Sequence, residues 1–311
     1  MKWSLSTNWL ARRVESGEEI AEKASAMGFD ELELGFHTTT EQAEGFRRRL
    51  DLIRVGSVHA FCPVPISAPQ GHPELYSLAS FDEDARALAR FHVKRNVEFA
   101  ASIGADTVVL HAGRVAFSTF LRRGFDSGSL RAALKSASGD LSDKRYVKLL
   151  ARAKRIRSER GSKLLPLFRK ELDALIPDLE RCGVTLALEN LPYLEGFPDE
   201  SETKSLCDAL SGAPVKGWFD TGHDRVREMH GWIAPERPER DAQHFAGMHL
   251  NDVVDYNDDH LAPGEGKVDF AALAPLARVV GHVVFEPHSH VSEESLAKGL
   301  EHMKSLEGYA D

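Results

Sequence analysis

With 311 residues, of which 42% are hydrophobic and 28% charged, the chain has the composition of a globular protein with room for a large core. Its first fifteen residues carry Arg12 and Arg13 and no apolar leader, and nowhere do about 18 apolar residues run together, so neither a secretory signal nor a membrane span is expected. A net charge of −9 argues weakly against unspecific nucleic-acid binding, and three cysteines without a CxxC pair (Cys62, Cys182, Cys207) suit a reducing cytoplasm better than a disulfide framework.

One pattern recurs along the chain: a short apolar strand, then a helical stretch closed by glycine. Trp3-Ser4-Leu5 reads as the first strand, followed by a helix from Gly17 to Met27 with Gly28 as its C-terminal stop. Glu31–Phe36 is predicted as the second strand and Val55–Ala60 as the third. A long helix over about 82–103 ends at Gly104, and Thr107–His111 forms the fourth strand. A helix from about Pro166 to Cys182 ends at Gly183, ahead of a fifth strand over Val184–Glu189. Val215–Asp220, Phe245–Leu250 and His282–Glu286 complete the set, with a closing helix over about 292–306. Strands alternating with helices imply a parallel sheet, and eight such units imply an α/β (β/α)8 TIM barrel, here as one domain over 1–311; a doubly wound open sheet is the alternative.

The segment 114–163 breaks the rhythm after the fourth strand. It carries fourteen Lys and Arg against four Asp and Glu, so it is net +10 while the remainder is net −19. Apolar residues at helical spacing in Leu130-Arg-Ala-Ala-Leu134 and Tyr146-Val-Lys-Leu-Leu150 predict a basic helical insertion. Following a strand directly, it is expected on the catalytic side of the barrel, restricting the pocket mouth or meeting another subunit of a homo-oligomer. Its basic face reads as solvated surface or as phosphate-contacting surface.

The chemistry of a barrel sits where strands end and the following loops begin. The predicted strand ends bring His59, His111, Glu189, Asp220, His249 and Glu286 to that rim, with His223 three residues beyond Asp220 and Asp258 and His260 in the loop after the seventh strand. Carboxylates that close apolar runs, as in Leu186-Ala-Leu-Glu189 and Val283-Val-Phe-Glu286, cost several kcal/mol to bury unless paired or coordinated, on the order of the penalties known for buried ions. A divalent ion at the barrel mouth offsets that cost. Taken singly, His59 reads as well as a satisfied polar residue, and Asp258 and His260 as loop polarity; it is the recurrence over six consecutive strand ends that points to metal. Glu33, near the end of the second strand, is a candidate for orienting substrate or a polar residue of the barrel mouth.

Gly28-Phe-Asp-Glu-Leu-Glu-Leu34, Leu188-Glu-Asn190, Phe219-Asp-Thr-Gly-His223, His249-Leu-Asn-Asp252 and His260-Leu-Ala-Pro-Gly-Glu-Gly266 resemble the sugar phosphate isomerase/epimerase family of xylose isomerase-like TIM barrels, over nearly the whole chain except 114–163. The resemblance implies that Glu189, Asp220, His249 and Glu286 hold one divalent ion (Mn, Mg, Co or Zn), with Glu189 and Glu286 as paired acid and base and with His223, His59, His111 and Glu33 toward a sugar or sugar derivative. The same superfamily contains the endonuclease IV enzymes, whose three-zinc ligand set also finds matches in His59, His111, Glu189, Asp220, His223, His249, Asp258, His260 and Glu286. That pattern has His-Pro-Gly and Thr-Cys-His where this chain has His111-Ala-Gly113 and Thr221-Gly-His223. The leading expectation is therefore a metal-dependent sugar isomerase or epimerase. A phosphoesterase with two or three zinc ions acting on abasic DNA is the second, and a binding module or lyase using the same barrel is a third.

Overall fold

A computed structural model describes residues 1–117, 125–235, 242–257 and 260–309. Eight parallel strands run β1 (Ser4–Ser6), β2 (Glu31–Leu34), β3 (Arg54–His59), β4 (Thr107–Leu110), β5 (Thr185–Glu189), β6 (Val215–Asp220), β7 (Phe245–Leu250) and β8 (His282–Phe285). Each pairs with its sequence neighbour, and β1 also pairs with β8, so the sheet closes into a barrel rather than remaining open. The expected strands are all present, with ends displaced by one or two residues: β1 sits one residue later, and β2 stops at Leu34 rather than Phe36.

Strand parity explains what the barrel holds. Successive side chains alternate between faces, and Val109, Ala187, Trp218 and Val284 pack together as an inner layer separate from the main core. Two residues further along the same strands come His111, Glu189, Asp220 and Glu286, which therefore enter the barrel mouth directly above this apolar floor. The intervening residues, Leu110, Leu188, Phe219 and Phe285, face outward into the layer beneath the helices. Trp218 fills the floor because β7 supplies Gly247 beside it; a Cβ there would lie 2.2 Å from the indole Cζ3.

Nine helices are described around the barrel: α1 (Gly17–Ala26), α2 (Thr40–Arg47), α3 (Glu83–Ile103), α4 (Ser127–Ser136), α5 (Lys144–Cys182), α6 (Glu200–Ala209), α7 (Thr221–Met229), α8 (Phe270–Ala277) and α9 (Glu293–Ser305). The expected helix start at Pro166 is corrected. Pro166 and Pro177 both lie inside α5, which begins at the Asp143 cap and runs unbroken to the left-handed Gly183. An interior proline removes one backbone donor and costs about 3 kcal/mol. The apolar stripe from Tyr146 through Leu164, Phe168, Leu172 and Leu179 is buried along the whole helix and outweighs that cost. The segment 114–163 thus contributes α4 and the first half of a continuous helix; its Arg122 and Arg123 fall outside the described residues.

Much of the basic character of this segment is spent internally. Arg157 is buried and bonds Glu202 (2.8 and 2.6 Å) and the Gly196 carbonyl (2.9 Å). Arg152 and Arg160 lie over the rings of Phe125 and Phe81. Arg131 of α4 donates to the Pro192 carbonyl (3.0 Å), and Ser127 binds Glu195, so α4 braces the loop that follows β5.

Gly247→Ala is expected to destabilise the protein by about 1–3 kcal/mol, because the added methyl must displace Trp218 within a close-packed floor. Denaturant unfolding checks this; an unchanged midpoint would mean that the floor repacks freely.

Candidate metal centre

Glu189 ends β5, Asp220 ends β6, His249 lies one residue from the end of β7, and Glu286 follows β8. They are 1%, 0%, 0% and 5% exposed, and each offers a ligand atom within 4.8 Å of the others. Two further groups share members with this one: His59, His111 and Glu189 on one side, and Asp220, His223 and His260 on the other. The structure therefore brings together all the expected ligand residues except Asp258, which lies outside the described residues.

The donors point at common spaces more than at each other. Glu189 Oε2 is buried without a hydrogen bond, although His59 Nε2 and His111 Nε2 stand 3.3 and 3.1 Å away. His59 Nδ1–H donates to the Ala60 carbonyl (2.6 Å), His223 Nδ1–H to the Asn190 carbonyl (2.8 Å) and His260 Nδ1–H to the Glu286 carbonyl (2.8 Å). Each of these rings thus has its Nδ1 engaged, which leaves Nε2 as the ligand atom. A set of carboxylates and imidazoles with no thiolate suits Mn, Mg, Co or Zn, and the residues present fit such an ion.

Outer contacts fix the carboxylates. Asn251 donates to Asp220 Oδ2 (2.7 Å) and Asn8 to Glu286 Oε1 (3.1 Å). Asp220 also caps α7 by accepting from the His223 amide (2.7 Å), so the helix start places His223 beside it. Asp252 accepts from the amides of Val253, Gly264, Gly266 and Val268 at 2.8–3.0 Å and so folds the loop that delivers His260. Gly222 has its own local reason: a Cβ there would meet Asn251 Oδ1 at 1.8 Å.

Burial and charge act against each other throughout the cluster. Burial pushes the Glu189 carboxyl up, but the His111 and His249 charges overcome it and hold it well below the usual range. Burial raises Glu286, and His249 and His260 do not overcome it. Two neighbouring carboxyls thus have their proton affinities driven apart. Burial would lower His111 and His249; Glu189 and Glu74 lift His111 to about 10, while Glu286, Glu33 and Glu189 lift His249 well above 6.5.

Above the cluster opens a cavity of about 360 Å³, whose walls include Arg12, His37, His72, Glu74, Arg114, Tyr193 and His288, with His111, His223, His260 and Glu286 toward its floor. Burial and then Arg12 push His37 down to about 4, and burial lowers His72, so these two rings are neutral at pH 7. Arg114 is neutralised by a two-pronged pair with Glu74 (2.8 Å twice) and lies over the Tyr193 ring. None of the described residues of α4 or α5 lines the cavity. The helices of the insertion therefore act on the mouth indirectly, through the braced loop bearing Pro192 and Tyr193, while Arg114 at the start of the segment lines the cavity itself. Glu33 also differs from expectation: it is fully buried beneath His249 and is not part of the cavity wall.

The sequence alone assigns no site role to Asn8, Glu74, Arg114, Tyr193, Asn251 and Asp252, although Asn251 and Asp252 fall within the His249-Leu-Asn-Asp252 motif and Arg114 opens the basic segment. Asn251 and Asp252 follow the ligand His249 and carry that signal of position; Asn8 and Glu74 reach the site from loops with no local pattern.

The sequence matches the family model described as xylose isomerase-like TIM barrel over residues 21–306, and the chain belongs to that family. No curated protein matches it significantly. Among solved structures, a D-tagatose 3-epimerase-like protein is 20% identical, with a TM-score of 0.61 over 98% of this chain and 96% of that one. A D-psicose 3-epimerase studied in the presence of D-fructose is 12% identical, with a TM-score of 0.65 over 99% and 100%. A 3-keto-D-glucoside 4-epimerase from E. coli is 16% identical, with a TM-score of 0.65 over 97% and 98%. At these identities the likeness is one of fold.

Because Glu286, Glu33 and Glu189 raise the proton affinity of His249 above the ordinary imidazole range, metal and proton compete for it. Divalent-metal affinity is expected to rise with pH between about 6 and about 8, roughly tenfold per unit for each proton displaced. Calorimetric titration across that range tests it, and a flat profile would contradict the assignment.

Proposed function

We propose that the protein is a divalent-metal-dependent isomerase or epimerase of a sugar or sugar derivative. The observation that carries this reading is geometric: Glu189, Asp220, His249 and Glu286 offer four ligand atoms within 4.8 Å of one another, and Glu286 opens from that cluster into a small cavity. Glu189 and Glu286 come from different strands, which suits a base and an acid acting on one carbon. The cavity volume of about 360 Å³ falls within the ~300–1,000 Å³ of small-ligand sites. The neutral His37 and His72 and the charge-matched Arg114 suit hydroxyl groups, while Arg12 and His111 add positive charge to the same cavity. The three solved structures described above are named as sugar epimerases or epimerase-like, which supports the same reading.

In this reading Glu189, as carboxylate, removes the proton from a carbon next to a carbonyl, giving an enediolate. Glu286, as carboxylic acid, returns a proton to the opposite face of that carbon, or to its neighbour in an isomerisation. The pair ends with its protonation reversed and resets through solvent. An ion bound by Glu189, Asp220, His249 and Glu286 supplies Lewis-acid stabilisation of the enediolate charge. His223 and His111, at the cavity floor, orient substrate hydroxyls, and His59 supports them from behind.

A second reading, a multinuclear-zinc phosphoesterase, is favoured by one observation: three ligand groups are contiguous, with Glu189 and Asp220 shared between them. Against it, Arg157 and Arg131 of the basic segment are engaged within the protein.

Turnover of a suitable ketose in deuterated water is expected to introduce one carbon-bound deuterium, and Glu189→Gln and Glu286→Gln are each expected to slow it by about 10²–10⁴-fold. Absence of exchange across a broad panel of sugars and sugar phosphates would reject the isomerase. Elemental analysis discriminates the two readings: one ion per chain favours the isomerase, whereas two or three zinc ions together with metal-dependent incision of abasic DNA put the phosphoesterase first.

A further inference from the structure

His249 is oriented unlike its neighbours. The rings of His59, His223 and His260 each give Nδ1–H to a backbone carbonyl at 2.6–2.8 Å, although His223 Nδ1 also stands 3.4 Å from Glu189 Oε1. His249 instead turns Nδ1 inward, 3.3 Å from Glu189 Oε1, 3.1 Å from Glu286 Oε2 and 3.6 Å from Asp220 Oδ2. Its Nε2 faces away from the centre, 3.1 and 3.2 Å from the two oxygens of Glu33. Glu33 is fully buried, and its Oε2 accepts from the Ser57 hydroxyl at 2.9 Å.

We propose that Glu33 is a positioning residue for the metal centre: it holds hydrogen on His249 Nε2, so that the nitrogen that gives up its proton to the ion is Nδ1. This inference rests on the metal reading of the site. A neutral imidazole has one N–H and one lone pair. Among the described residues, Glu33 is the acceptor that meets Nε2; without it, the hydrogen settles on Nδ1, bonded to Glu286 or Glu189, and the ligand atom is lost. Packing sets the ring plane, with Trp218 edge-on at 5.0 Å and His59 stacked at 6.2 Å, but packing does not distinguish the two nitrogens.

The backbone carries a matching irregularity. Leu32 pairs with Val55, but Glu33 pairs with Ser57, so β3 takes one extra residue, Gly56, at this point. A bulge of this kind re-aims side chains, and here it sets Ser57 beside Glu33. A Cβ at Gly56 would lie 2.7 Å from Glu31 Oε2, which suits glycine there.

The test is cobalt(II) titration of the metal-free full-length protein by calorimetry and visible absorption, comparing wild type with Glu33→Met, which is close in length but offers no strong acceptor, and following thermal unfolding without metal. Glu33→Met is expected to stay folded, to bind cobalt about 10- to 100-fold more weakly and to shift the cobalt visible bands, which a merely structural role would leave in place. Wild-type affinity and spectrum in a folded Glu33→Met protein would overturn the inference. If wild type binds no divalent ion, it is the metal reading that fails. Should Glu33→Met not fold, Ser57→Ala carries the test: several-fold weaker binding with altered bands supports the inference, and unchanged binding and bands overturn it.

Discussion

The constraint on which the site depends is the burial of four carboxylates, Glu33, Glu189, Asp220 and Glu286, around one imidazole. Each is 5% exposed or less. Taking an ionised carboxylate out of water costs several kcal/mol even after relaxation, so such a cluster persists only where protons, hydrogen bonds or cations compensate it. The chain provides imidazoles from β3, β4 and β7 and amides from Asn8 and Asn251. Among the described residues, the ion pairs these four carboxylates make are with histidines. The donor set is that of a cation site, and the opposed proton affinities of Glu189 and Glu286 follow from the same crowding.

The barrel supplies the geometry through strand parity and steric fit. An inner apolar floor built from Val109, Ala187, Trp218 and Val284 places the next inward residues at the mouth. The glycine at 247 makes room for the indole. Outer loops then finish the work, each held by a carboxylate facing backbone amides or hydroxyls: Asp252 for the loop of His260, and Glu195 for the loop of Tyr193. Among the described residues, the basic segment enters the site through this second brace and, directly, through Arg114 in the cavity wall.

The departure from the endonuclease IV pattern at Gly222 also has a local meaning. Asn251, which holds Asp220, occupies the space that any side chain at 222 would need. The two positions are linked by packing, so the glycine reflects how this chain positions its carboxylate and does not by itself speak for either activity.

The eight strands, the glycine stops at 28, 104 and 183, and the gathering of His, Asp and Glu at strand ends were legible in the sequence by itself, because alternation, capping and the cost of a carboxylate in an apolar run are all local rules. The length of α5 was not: Pro166 reads as a helix start until the buried stripe on both sides of it is seen to pack as one surface. The role of Glu33 was equally hidden, since it depends on a bulge in β3 and on which nitrogen of His249 faces inward. Only the tertiary structure decided that Glu189 and Asp220 are each shared between two ligand groups, and that Asn8 and Glu74 reach the site from distant loops. Those facts are contacts between residues far apart in the chain, and no periodicity along the sequence encodes a distance across the barrel mouth.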